Sequence, residues 1–323
     1  MINKQFVISR RDALLGGLAL FATAPMAQAQ SKLNVVATTG MIADAVRQIG
    51  GDLVEVRALM GPGVDPHGYR QTRSAIVAMT RADLVLWHGL YLEAQMERFF
   101  DELGQKRRVV AVAEELDKKT LLSHADYDGR FDPHVWMDPM IWSGVAAEIG
   151  RALSVSLPDS AEQISKNLVE YQIELGALAT YAKNTIAKVP ADARVLVTAH
   201  DAFGYFGKGY GFEVLGIQGI STASEAGLNR ISEVVNTLVE RDIRAVFVET
   251  SVSDRNMRAL IEGAAAQGHE VVIGGSLYSD AMGAEGTYEG TYIGMFDHNV
   301  TTIARALGAE ADAGGMSGKL AHG

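Results

Sequence analysis

The sequence predicts an α/β protein of two lobes, each a mostly parallel sheet flanked by helices, joined by one long backbone helix. Three observations carry that expectation. Short apolar runs bounded by turn residues alternate with segments of helical period in both halves of the chain, as in parallel sheets covered by helices. Between the halves, Asp159 to Lys188 contains no proline and only one glycine, Gly176. Ile164, Leu168, Tyr171, Leu175, Leu178 and Ala182 recur there at helical spacing. The chain has 323 residues, 48% hydrophobic and 21% charged, which suits a globular protein long enough for two domains.

The first residues read as an address. Lys4, Arg10 and Arg11 form a basic start, and Ala13 to Ala24 is an apolar run too short to span a bilayer. Ala27-Gln28-Ala29 is an A-x-A cleavage site. Residues 1–29 are therefore expected to be a signal peptide. Ser9-Arg10-Arg11-Asp12-Ala13-Leu14-Leu15 is similar to a twin-arginine signal, with Ala13 where that motif prefers phenylalanine; Sec export fits the same residues. Cleavage would remove three cations and one anion, taking the formal charge from −10 to −12. An acidic balance argues against nucleic acid as a partner. Cysteine is absent, which leaves no disulfide, no thiolate metal site and no lipobox cysteine. The expectation is a soluble, exported, periplasmic monomer without a lipid anchor.

The elements follow in order. Leu33 to Thr38 is a buried strand, and Met41 to Ile49 a helix with Ile42, Val46 and Ile49 on one face. Leu53 to Leu59 is a second strand, ending in a Gly-Pro-Gly loop that delivers His67. Residues 71–82 are helical, 83–87 a strand, 93–103 a helix and 109–112 a strand. An irregular stretch, 115–131, precedes a helix from Ile141 to Leu153. The N-terminal lobe is thus expected over 30–157 and the long helix over 158–189. That helix would be about 45 Å long. Without a partner heptad it fits a strut between lobes better than a coiled-coil arm. In the C-terminal lobe, 190–307, the strands are 194–198, 212–218, 245–249 and 270–274. Its helices are 228–241, 254–267 and 289–307. The tail, 308–323, is small and polar and is expected to be disordered.

The chemistry gathers at strand ends. Asp65-Pro66-His67 and Asp132-Pro133-His134 repeat one tripeptide, and the second continues as Val135-Trp136-Met137-Asp138-Pro139. Proline restricts its own backbone and that of its neighbour, so each histidine is presented from a stiff segment. His200 and Asp280 also follow predicted strands. Ligands of open α/β sheets bind beyond the strands' carboxyl ends. His67, His134, His200 and Asp280 therefore make a candidate N/O set for a divalent transition metal. Taken singly, each has a duller role, as a turn or cap residue; the argument rests on their equivalent positions. Asp65, Asp132, Asp138, Asp201 and Glu249 are candidates to accept the second imidazole proton. His88 reads as structural and His124 as a transient metal contact, while His269, His298 and His322 follow no pattern.

These residues resemble the cluster A-I (cluster 9) metal-binding proteins of ABC importers, over essentially the whole mature chain. The resemblance is carried by the two Asp-Pro-His units, Thr198-Ala199-His200-Asp201-Ala202-Phe203-Gly204-Tyr205-Phe206, Tyr278-Ser279-Asp280-Ala281-Met282-Gly283 and Glu289-Gly290-Thr291-Tyr292. It implies metal held between two lobes by His67, His134, His200 and Asp280. It also implies delivery to an inner-membrane permease with its cytoplasmic ATPase. Within the family the chain looks most like the manganese/zinc subgroup. The single histidine of 115–131 argues against a dedicated zinc carrier, and a histidine at position 200 argues against a manganese-only one. The expected cargo is Mn²⁺ or Zn²⁺. The alternatives weighed are a zinc metallohydrolase, for which no G-x-S-x-G, H-E-x-x-H or Walker A motif is present, and a metal-sequestering adhesin. Gly274, Gly275 and Gly283 around Asp280 are expected to let its loop move.

Overall fold

The computed structural model describes residues 31–123, 129–224 and 227–320. The expected signal peptide, His124 and His322 lie outside them. In the first lobe, β1 (Leu33–Ala37), β2 (Val54–Ala58), β3 (Leu84–Trp87) and β4 (Arg108–Ala111) form one sheet in the order β2-β1-β3-β4. All its pairings are parallel, with Val35 beside both Val56 and Leu84, and Leu86 beside Val110. Helices α1 (Gly40–Gly50), α2 (Arg73–Arg81) and α3 (Glu97–Gly104) connect the strands. Thr39 caps α1 by accepting the Ile42 N–H, and Thr72 caps α2 through Ala75, each satisfying a donor the helix cannot use.

α4 (Pro139–Ser156) starts where the Asp-Pro pair places it. Asp138 is its N-cap and Pro139 occupies the first turn, where a missing N–H costs nothing. α5 (Ala161–Ile186) then crosses to the second lobe. There β5 (Val195–His200) pairs in parallel with β6 (Glu213–Gln218), and β7 (Ala245–Glu249) with β8 (Val272–Leu277). α6 (Gly204–Tyr210), α7 (Leu228–Glu240), α8 (Arg255–Ala266) and α9 (Tyr292–Ala306) complete it. The α/β reading with two parallel lobes and a joining helix holds. Among the described residues the second lobe has two strand pairs rather than one continuous hydrogen-bonded sheet.

Four local differences have physical reasons. α6 contains three glycines and was not expected; Tyr205 and Phe206, both buried, hold it by packing. α3 begins four residues later than the pattern suggests. Gly89, Leu90 and Tyr91 take left-handed conformations, and the buried Glu93 carboxylate accepts the backbone N–H groups of His88 and Gly89. β8 runs through Gly274 and Gly275 instead of stopping at them. A Cβ on Gly274 would sit 2.9 Å from that of Ala306, and one on Gly275 would strike Thr302. These glycines admit α9 against the strand. Gly283 is packed likewise, since a Cβ there would be 2.8 Å from Glu289 Cβ. The tail expected to be disordered folds back instead: Met316 N–H reaches the Asp297 carboxylate at 2.9 Å, and Leu320 is buried.

The largest hydrophobic core belongs to neither lobe alone. Ile42 and Val46 of α1, Trp142 and Val145 of α4, Leu175 and Leu178 of α5, and Phe296 of α9 share one cluster. Trp142 stacks on Tyr292 at 5.2 Å. Smaller cores lie on the outer side of each lobe, under α2 and α3 and under α7 and α8. Among the described residues no helix is long and apolar enough to cross a membrane.

Candidate metal centre

The β2–α2 loop brings His67, the segment before α4 brings His134, the end of β5 brings His200, and the loop after β8 brings Asp280. One donor atom from each lies within 4.8 Å of all the others. His67 Nε2 is 3.2 Å from His134 Nε2. Asp280 Oδ1 is 3.3 Å from His134 Nε2, and Oδ2 is 3.2 Å from His200 Nε2 and 3.9 Å from His67 Nε2. Donors about 2.05 Å from a tetrahedral ion stand roughly 3.3 Å apart. The observed spacings are those of atoms arranged around a shared centre.

All four side chains are buried, His67 being the most open at 4% exposure. His200 Nε2 and both Asp280 oxygens have no hydrogen-bond partner. Buried polar atoms are rarely left so, and here the orphans point at one another's neighbourhood. Both carboxylate oxygens face the imidazoles, so the set offers three nitrogens and one or two oxygens. One oxygen completes a four-coordinate zinc site; two raise the coordination number toward what manganese takes.

The outer partners fall into a pattern. Asp132 Oδ1 accepts both the backbone N–H of His134, at 2.9 Å, and its ring Nδ1–H, at 2.7 Å. Glu249, at the end of β7, does the same for His200, at 2.9 and 2.5 Å. Each carboxylate thus aims Nε2 inward and fixes the tautomer. Asp65 accepts the backbone N–H of His67 at 2.8 Å and a hydroxyl from Thr222 of the other lobe. Of the acids singled out by sequence, Asp132 and Glu249 hold the rings of His134 and His200, Asp65 holds the backbone of His67 and Asp138 caps α4. Asp201 is placed by its own N–H on Gly219 O. His88 donates to Pro133 O at 2.7 Å, bracing the residue before His134. His269 and His298 donate to Ile243 O and Ser276 O, away from the cluster.

Sequence reasoning passed over Trp136, Tyr205 and Glu93. Tyr205 O–H donates to Asp132 O at 2.8 Å. Glu93 accepts a hydroxyl from Thr38 at 2.6 Å, and burial lifts its carboxyl to about 7. The aromatic residues between Pro133 and Pro139, and after His200, were the only signal for the first two.

Electrostatics divide the imidazoles. Burial pushes His67 down to about 3, although Asp280 opposes it. Burial acts on His134 too, but Asp132 and then Asp280 outweigh it and lift the ring to about 9. His200 is likewise raised well above the ordinary value against burial, by Asp280 and Glu249. Asp280 is held far below the usual carboxylate range against its own burial, chiefly by His200 and then by His134. The two raised rings hold protons on the atoms that face the centre, and a divalent cation bound there would displace them.

The profile of the family described as "Zinc-uptake complex component A periplasmic" matches residues 35–306. The chain is 48% identical over 279 residues to the manganese-binding lipoprotein MntA of Bacillus subtilis, covering 86% of this chain and 91% of that one. It is 45% identical over 281 residues to the zinc-binding protein TroA of Treponema pallidum, covering 87% and 91%. The solved structure of that periplasmic zinc-binding protein superposes with a TM-score of 0.84 over 86% of this chain and 99% of its own.

Proposed function

The chain belongs to the periplasmic zinc-uptake component A family, and we propose that it captures Mn²⁺ or Zn²⁺ between its lobes through His67, His134, His200 and Asp280. Relatives of this chain are named as substrate-binding lipoproteins of metal ABC transporters, and this chain is such a binding protein rather than a metallohydrolase or an adhesin. The observation that carries the ligand assignment is the convergence of four buried side chains, with His200 Nε2 and both Asp280 oxygens left without a hydrogen-bond partner. An ABC permease with its ATPase is the receiver. All four donors come from one chain, so the site is complete without a second copy.

The relatives include lipoproteins by name, whereas these 323 residues contain no cysteine to carry the lipid. The reading offered is an extracytoplasmic location, as these lipoprotein relatives suggest; recovery outside the cytoplasm on cell fractionation supports it, and recovery with the cytosolic fraction contradicts it. The ligand assignment is tested by His134→Ala. Calorimetry should show loss of tight, stoichiometric Mn²⁺ and Zn²⁺ binding with an unchanged far-ultraviolet spectrum. Parental affinity in that variant would refute it.

A further inference from the structure

Asp280 differs from its fellow ligands in how it is aimed. Asp132 clamps His134, Glu249 clamps His200 and Asp65 holds the backbone of His67. Beyond the imidazoles that it faces, His134 Nε2 at 3.3 Å and His200 Nε2 at 3.2 Å, the carboxylate of Asp280 has no such clamp, and neither oxygen makes a geometrically formed hydrogen bond. Its direction must come from the backbone that carries it. That backbone is held on its N-terminal side by a residue of the other lobe. The indole Nε1–H of Trp136 donates to Ser279 O at 2.7 Å, and Ser279 O belongs to the peptide group that joins Ser279 to Asp280.

Trp136 is itself immobilised. It is fully buried, and its ring meets His134 edge to face at 5.2 Å and His88 at 5.0 Å. Its own carbonyl accepts the hydroxyl of Tyr292 at 2.8 Å. Tyr292 is fixed in turn by its N–H to Asp44 Oδ2, at 2.9 Å. On the acceptor side, Ser279 is fully buried and its hydroxyl pairs with Ser251 at 2.9 Å. An indole donor is directional and has no second acceptor to choose.

We propose that Trp136 is a positioning residue of the metal centre. It ties the Ser279–Asp280 peptide to the segment that bears His134, and so holds the Asp280 carboxylate toward the three imidazoles. This rests on the reading of Asp280 as a ligand. Removing the indole donor leaves a buried carbonyl unpaired and frees the peptide, an effect of the size of one buried hydrogen bond.

The test is a double-mutant cycle in the full chain. Trp136→Phe keeps an aromatic ring and removes the N–H. Zn²⁺ affinity, measured by competition with a chromophoric chelator, should weaken about ten-fold, mostly through faster dissociation. In an Asp280→Ala background, where three imidazoles still hold Zn²⁺, Trp136→Phe should have no further effect. An equal loss in both backgrounds, or no loss in the parent, overturns the proposal. Should Trp136→Phe fail to fold, Tyr292→Phe gives the same cycle, because it loosens Trp136 by removing the hydroxyl on its carbonyl. Unchanged Zn²⁺ affinity in Asp280→Ala alone would instead refute the ligand reading, and this inference with it.

Discussion

A proton on His134 or His200 occupies the same lone pair that a metal needs. Both rings are raised, His134 to about 9, by carboxylates that remain in place when the ion binds. The sign follows directly. With His134 raised to about 9 and His200 raised as well, both rings hold their protons at neutral pH in the metal-free protein, so binding releases protons and affinity falls as the pH falls. For two protons the slope approaches about two decades of affinity per pH unit. Calorimetry of Zn²⁺ binding at pH 7 in buffers of different ionisation heat should give close to two protons released. Asp132→Asn, which removes the leading partner of His134, should reduce that number by about one; an unchanged count would show that Asp132 does not hold the proton there. His200 and Asp280 were legible because a histidine or acid at a strand end has few places to point, whereas His67 and His134, farther from β2 and β4, were legible through their Asp-Pro-His units. Trp136 was not, because its acceptor lies 143 residues away and no local pattern announces such a pair.

Packing of elements explains where the pattern misled. Glycine in a strand reads as a break, and Gly274-Gly275 was read so, yet both serve the approach of α9 to β8. Gly275→Ala should therefore overpack that contact and lower stability by about 2 kcal/mol. The atom in the way is the Thr302 methyl, so Thr302→Ser in the same chain should restore most of the loss. Chemical denaturation of the two variants decides it; a double variant as unstable as the single one would place the fault elsewhere. The same limit applies to α6 and to the tail. Three glycines in seven residues carry no helical signal, and α6 forms because Tyr205 and Phe206 are buried. The tail owes its order to Asp297, which accepts Met316 N–H while also accepting the Tyr288 hydroxyl at 3.0 Å. Propensity was a sound guide where elements are long and apolar. It failed where a distant side chain supplies the order.

At the scale of the whole molecule, the lobes are not independent bodies. Their largest core is common to both, drawn from α1, α4, α5 and α9, and Thr222, Tyr205 and Trp136 each reach across to a residue beside a ligand. Metal held as proposed would add a further cross-link, with His67 and His134 on one side and His200 and Asp280 on the other. Opening one lobe fully would expose the shared core, so partial unfolding confined to one lobe is disfavoured and the chain should melt as one cooperative unit. Calorimetry of the metal-free protein should give a single transition whose calorimetric and van't Hoff enthalpies agree. Ion binding to the folded state alone should raise that transition. Free metal at a thousand times Kd contributes about 4 kcal/mol, a rise of roughly 6 °C for a chain of this size, without splitting it. Two separated peaks in the metal-free protein, merging only on addition of Zn²⁺, would mean that the ion and not the common core unites the lobes.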